Sequence, residues 1–143
     1  MNLKLAKKEN SKALFDWRNE ESVRRQSRNM DPISWETHSV WFEKSLVNPN
    51  RQIYLAEVDG QEVGMIRVDK DENGCELSWL VDSKFRGKGY GKQMLNQIVG
   101  CLSGHICAQI KKNNAPSLAM AKSLGFRRIS PEDASLTKWV LEK

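Results

Sequence analysis

The spacing of hydrophobic residues changes period several times along the chain. Leu3 to Ala6 alternates weakly and reads as a first strand. Ala13, Leu14 and Trp17 then recur at helical spacing behind Ser11, a residue type suited to capping a helix. Glu21 to Gln26 reads as a second, short helix. Ser34 is placed to cap a third, on which Trp35, His38, Trp41, Phe42 and Leu46 share a stripe that stops near Asn48-Pro49. The period then shortens. Gln52 to Val58 and Glu62 to Asp69 read as strands joined by Asp59-Gly60, a tight-hairpin signal, and Cys75 to Val81 reads as another. Met94, Leu95, Ile98, Val99 and Leu102 restore a helical stripe. Ile106 to Ile110 is a short strand. Ala115 to Leu124 is a helix, with Pro116 in its first turn and Gly125 at its end. Phe126 to Ile129 and Leu136 to Leu141 complete the set. Strands and helices in this order predict a mixed α/β domain around one sheet, and 143 residues suit a single domain over 1–143.

Composition narrows the class. Hydrophobic residues make up 39% of the chain and charged residues 29%, a soluble globular balance. No apolar run approaches the roughly 18 residues of a membrane span. The polar start, Met1 to Lys8, is not expected to be a signal peptide, so a cytoplasmic location without membrane attachment is expected. Cys75, Cys101 and Cys107 are odd in number and lack C-x-x-C spacing, and only His38 and His105 supply imidazoles. Neither a disulfide framework nor a metal site is expected.

Charge adds a direction. The stretch from Ser83 to Arg128 holds nine basic residues and no acidic one, a charge of +9. The net charge is +5, so the remainder carries −4. A one-signed segment focuses a positive field and points to an anionic ligand, either nucleic acid or a phosphorylated cofactor.

Arg86-Gly87-Lys88-Gly89-Tyr90-Gly91, between a predicted strand and a predicted helix, shows where such an anion would sit. Glycines allow positive φ and close backbone approach. The helix start offers free N–H groups and the positive end of its dipole. Together they form a pyrophosphate cradle, in which a Cβ at Gly89 or Gly91 is expected to collide with the ligand or with the backbone conformation the cradle requires. A Walker A loop is absent. The dinucleotide pattern also fails, because the glycines are spaced G-x-G-x-G and no acidic residue follows until Glu132.

Arg86 to Gly91 matches the Gln/Arg-x-x-Gly-x-Gly/Ala signature of the GNAT family of N-acetyltransferases, and Asn114 to Phe126, which opens on Asn and closes on Leu-Gly-Phe, resembles that family's last helical segment. The order of elements also agrees, so the resemblance covers essentially the whole chain. It implies a mixed central sheet, flanked by helices and splayed between the fourth and fifth strands. Acetyl-CoA would lie in the splay without any metal. Its pantetheine would pair near Leu80 and Val81, its pyrophosphate would meet Arg86, Gly87, Lys88, Gly89, Tyr90 and Gly91, and Asn114 and Ser117 would also contact it.

The N-terminal third is similar to acetyltransferases of nucleotide-linked amino sugars in pseudaminic-acid-type pathways. The similar stretches are Trp17-Arg18-Asn19, Pro32 to His38, Trp41-Phe42 and Asn48-Pro49. Ribosomal-protein acetyltransferases share part of this pattern. The resemblance implies a UDP-amino-sugar acceptor, with Trp17, Arg18, Asn19 and His38 in its site and Arg24, Arg25 and Arg28 nearby for phosphate. Two readings stand for each aromatic and for His38: a packed core residue, or a group that touches substrate.

The implied reaction is direct attack of a neutral amine on a thioester. Glu76, in the strand before the loop, is the candidate base; its other reading is an ordinary outward-facing strand residue. The family's acid, often a Tyr seven residues after the Asn, is replaced by Ala121. A thiol with an ordinary pKa of about 8.5 leaves as thiolate near neutral pH, so the step does not demand that acid. The competing readings are a protein N-terminal or small-amine (antibiotic or polyamine) acetyltransferase, a non-catalytic CoA-binding module, and a nucleic-acid-binding domain. The last lacks any nucleic-acid motif. A monomer and a homodimer are both compatible with the sequence.

Overall fold

The computed structural model describes residues 1–131 and 133–143. In chain order the elements are β1 (Asn2–Leu5), α1 (Ser11–Asn19), α2 (Glu21–Arg24), α3 (Trp35–Leu46), β2 (Arg51–Val58), β3 (Gln61–Asp71), β4 (Gly74–Val81), α4 (Tyr90–Cys101), β5 (His105–Lys111), α5 (Ala115–Ser123), β6 (Arg127–Arg128) and β7 (Leu136–Glu142). Short 3-10 turns at Lys8–Asn10 and Ser83–Phe85 precede α1 and the glycine loop. The described strands form one seven-stranded sheet in the order β1-β2-β3-β4-β5-β7-β6. All neighbours are antiparallel except β4 and β5.

That parallel pair creates the site. Its pairing lasts only from Cys75↔Ile106 to Leu77↔Ala108. β4 runs on to Val81 and β5 to Lys111, so the strands part beyond Leu77, as expected. On its other side β4 stays paired with β3 up to Gly64↔Val81. Glycine is required there, because a Cβ on Gly64 would lie 2.5 Å from the Leu80 carbonyl oxygen.

Period-two alternation places a core on each face of the sheet. Met94, Leu95 and Ile98 of α4 pack on Ile66, Val68, Leu77 and Ile106. Leu14 and Trp17 of α1 and Phe42 of α3 pack on Ile53, Leu55 and Met65. On this second face the apolar stripe ends after Met65. By the same alternation the next side chains there are Arg67 and Asp69 on β3, with Glu76 and Ser78 on β4 and Arg51 on β2. A polar floor therefore opens beside the splay.

Local chemistry explains most boundaries. Asp59 and Gly60 both have positive φ, 52° and 79°, the conformation a two-residue hairpin of the favoured hand requires. Ser34 caps α3 by accepting the Thr37 N–H at 3.2 Å. Gly125 adopts φ 93° and closes α5, with its N–H on the Lys122 carbonyl and that of Phe126 on Ala121. Three details differ from the sequence reading. Ser11 is the first residue of α1 rather than its cap; Asn10 holds the cap position and turns its side chain back to the Lys7 N–H. α2 stops at Arg24, two residues early. β6 is only Arg127–Arg128, because little of that edge pairs with β7.

Candidate active site

Parted strands, the glycine loop and the α1–α3 face enclose a cleft of about 1780 Å³. Its cofactor end begins at Asp82, a residue the motif search passed over. Asp82 is buried, accepts the Trp17 indole N–H at 2.9 Å and the Lys84 N–H at 2.9 Å, and donates its own N–H to the Val63 carbonyl. These bonds pin the start of the glycine loop to α1 and β3. Gly87 and Gly89 then both take φ +79°, and a Cβ on either would meet nothing within 4 Å. The loop backbone thus borders open space in a conformation that disfavours L-residues. α4 starts at Tyr90 with no side-chain cap, so its first N–H groups are left for a ligand. An anionic diphosphate fits this arrangement.

The other expected cofactor residues fall into several roles. Gly91 lines the cleft, yet its Cβ would lie 2.8 Å from the Met120 Sδ. Gly91 thus also favours close packing of α4 on α5, with only the flexible end of Met120 in the way of a Cβ. Arg86 bridges protein groups: its Nε donates to the Val81 carbonyl at 3.1 Å, one Nη donates to the Ser22 hydroxyl at 2.9 Å, and the other lies 3.9 Å from Glu20. Arg86 therefore covers one of the two β4 positions expected to meet pantetheine. Leu80 lines the cleft beside it. Lys88 lies 5.9 Å from the Phe85 ring. Asn114 caps α5 by accepting the Ser117 N–H at 3.3 Å; its amide nitrogen has no partner among the described residues, and both side chains line the cleft.

At the acceptor end the four expected residues separate. Trp17 is buried in the core with its indole N–H committed to Asp82, and it is not part of the cleft wall. Asn19 clamps the Ile33 backbone, donating to its carbonyl at 2.9 Å and accepting from its N–H at 2.8 Å. Both serve the scaffold instead of lining a substrate site. Arg18 does line the cleft, with its guanidinium 5.3 Å from the Trp41 ring centroid. His38 is 1% exposed and stacks on Phe42 with ring planes 10° apart.

Glu76 opens onto the cleft one residue before β4 and β5 part. Arg28 reaches it from the segment between α2 and α3, at 3.4 Å from Oε2, and also bonds the Gln109 side chain on β5. Lys111 of β5 donates to the Arg25 carbonyl at 2.9 Å. This segment therefore straps across the splay above Glu76. Ala121 is buried in the core, so α5 offers no acid at that position.

The comparisons agree with this geometry. Residues 1–127 match the family model described as an acetyltransferase (GNAT) domain. This chain belongs to the GNAT acetyltransferase family. Among solved structures, a domain from Methanocaldococcus jannaschii aligns with TM-score 0.87 at 18% identity, covering 99% of this chain and 97% of that one. A ribosomal-protein-alanine N-acetyltransferase from Brucella melitensis aligns at 0.77 and 21% identity over 98% and 97%. A spermidine N-acetyltransferase from Vibrio cholerae, solved with CoA and spermine, aligns at 0.84 and 11% over 98% and 94%. At these identities the likeness is one of fold. No curated protein matches the chain.

The enzyme is thus an acetyl-CoA-dependent N-acetyltransferase, and the glycine loop, the uncapped start of α4 and the free β4 edge suit that co-substrate. Among the described residues no group of His, Cys, Asp and Glu could hold a metal, and no helix is long and apolar enough to cross a membrane. Two further cleft residues, Arg51 and Arg67, escaped the sequence reading. The available signal was an arginine at an inward position of each of two half-buried strands.

His38 carries a pH prediction for this acetyltransferase. Its Nε2 lies 3.1 Å from the Ser11 carbonyl and so must bear the proton, which leaves Nδ1 buried without a partner among the described residues. Burial lowers its pKa from the ordinary 6.5; the Ser11 bond opposes this, and Arg18 adds a smaller lowering. Because the folded pKa lies below the unfolded one, the contribution to stability is complete above about pH 6.5 and is lost as pH falls toward the folded pKa. Melting curves from pH 7.5 to 5 should show this loss in the wild type and a flatter dependence in His38→Gln.

Proposed function

We propose that the enzyme acetylates the primary amine of a nucleotide-linked amino sugar by direct attack in a ternary complex. The observation that carries this reading is the charge of the acceptor end. Arg18, Arg24, Arg25, Arg28, Arg51 and Arg67 line it against the carboxylates of Asp31, Asp69 and Glu76. Such a field repels a polyamine and attracts phosphate oxygens, which guanidinium forks match well.

Acetyl-CoA supplies the acyl carbon as a thioester. In the proposed step Glu76 takes the proton that the acceptor's ammonium must lose. The freed nitrogen lone pair forms the N–C bond, the C–S bond breaks, the sulfur leaves with its electron pair, and the nitrogen's surplus proton passes to that thiolate or to solvent, leaving a neutral amide and CoA. The glycine loop, pinned in place by Asp82, would hold the diphosphate end of the donor so that the splay presents the acyl group beside Glu76. The test is incubation of enzyme and acetyl-CoA with UDP-amino-sugars, aminoglycosides, polyamines and peptides, read by mass spectrometry. A 42-Da gain (about the mass of an added acetyl group) on the nucleotide sugar is expected. Efficient acetylation of a peptide or aminoglycoside, and none of any amino-bearing nucleotide sugar, would reject the reading.

A further inference from the structure

Three guanidinium groups converge on one indole at the far end of the cleft from the glycine loop. Arg18 of α1, Arg51 of β2 and Arg67 of β3 lie 5.3, 5.5 and 5.8 Å from the Trp41 ring centroid. One carboxylate serves two of them: Asp69 takes Arg51 at 2.6 Å and Arg67 at 2.9 Å. The hydroxyls of Ser45 and Ser78 take further N–H groups of Arg51 and Arg67, at 3.1 and 3.4 Å. Those two arginines are thereby oriented. Arg18 has no acidic partner among the described residues; only the Trp41 contact holds it.

A cluster of three cations and one anion carries +2. Its cost is visible at Arg18, whose pKa is lowered from the usual guanidinium value first by burial and then by Arg67. Packing alone does not call for this arrangement, since an aliphatic side chain would cover Trp41 without the repulsion. A bound oxyanion would remove the repulsion and occupy the fork that Arg18 leaves open. Trp41, with three guanidinium groups already against its ring, is not a free face for stacking a base.

We propose that Arg18, Arg51 and Arg67 around Trp41 form the subsite for a phosphate of the acceptor, with Arg18 making the direct contact and Asp69 orienting the other two. This rests on the anionic-acceptor reading above and names the residues that enforce it.

Inorganic pyrophosphate and UDP serve as probes, added to enzyme whose cofactor site is saturated with CoA, so that neither probe is read out at the glycine loop. Thermal shift and calorimetry give the binding. Both probes should stabilise the wild type. In Arg18→Gln the affinity for each should fall by tenfold or more, while CoA affinity is unchanged. Removing Arg18 strands no buried carboxylate, so the variant is expected to fold; Arg18→Lys, which keeps the charge but loses the fork, should give an intermediate affinity. Protection by UDP that is equal in wild type and Arg18→Gln would overturn the subsite and leave the nucleotide-linked acceptor standing. Protection by pyrophosphate that depends on Arg18, with UDP binding no better than pyrophosphate, would keep the subsite and remove the nucleotide. Absence of protection by either probe would overturn the subsite.

Discussion

Glu76→Gln is expected to lower turnover by about 10²–10⁴, the usual range for loss of a positioned general base, with acetyl-CoA affinity unchanged. The substitution keeps shape and an acceptor oxygen, so Arg28 can still donate to it, now to a neutral acceptor. It removes only the capacity to hold a proton. Glu76 lies on the polar floor one residue before the parallel pairing ends, facing a cleft that reaches both the glycine loop and the arginine end. The ion pair with Arg28 is solvent-exposed at 3.4 Å, so it contributes little to stability, and its weakening should leave the melting temperature near that of the wild type. The useful readout is a rate–pH profile. In the wild type the rate should rise with pH as the acceptor amine deprotonates, and the deficit of the variant should shrink at high pH, where solvent strips the amine of its proton. Near-normal turnover of a folded Glu76→Gln enzyme at neutral pH would show that water takes the proton.

What could be read from the chain was whatever short-range chemistry decides. The Asp59-Gly60 turn, the Ser34 cap, Pro116 in the first turn of α5 and the glycine loop each depend on neighbours within a few residues. Each is found in place. The splay was reached through the family's resemblance, and the register that ends at Leu77↔Ala108 agrees with it. The acceptor end was not legible in the same way. Whether Trp17 faces a ligand or the core depends on Asp82, 65 positions away, whose carboxylate claims the indole N–H. Asn19 is spent on Ile33 across a loop. Arg51 and Arg67 look like ordinary strand residues until α3 brings Trp41 over them. Ser11, the expected cap, lies one residue inside α1, because the 3-10 turn ending at Asn10 runs directly into the helix.

The same division between backbone and packing separates the two cradle glycines. Gly89 adopts φ 79° and ψ 9° at the N-terminal boundary of α4, a left-handed conformation that costs an L-residue roughly 1–2 kcal/mol and suits a β-branched one least. No protein atom is the obstacle, since its Cβ would meet none within 4 Å. Gly89→Val should therefore escape strain by leaving the left-handed region, which turns the first N–H groups of α4 away from the diphosphate. Acetyl-CoA affinity should fall by about tenfold or more, equivalent to about 1.4 kcal/mol, in a protein that still unfolds cooperatively. Gly91 behaves differently. It lies inside the first turn of α4 without a positive φ, and the atoms in its way are the Sδ and Cε of Met120 at 2.8 and 3.2 Å, the flexible end of a side chain. Gly91→Ala should displace Met120, shift the melting temperature and change acetyl-CoA affinity less than Gly89→Val does. Calorimetry on the two folded variants decides the matter: unchanged affinity in Gly89→Val would mean that the left-handed turn does not aim the helix start at the donor, and the cradle would have to lie elsewhere in the cleft.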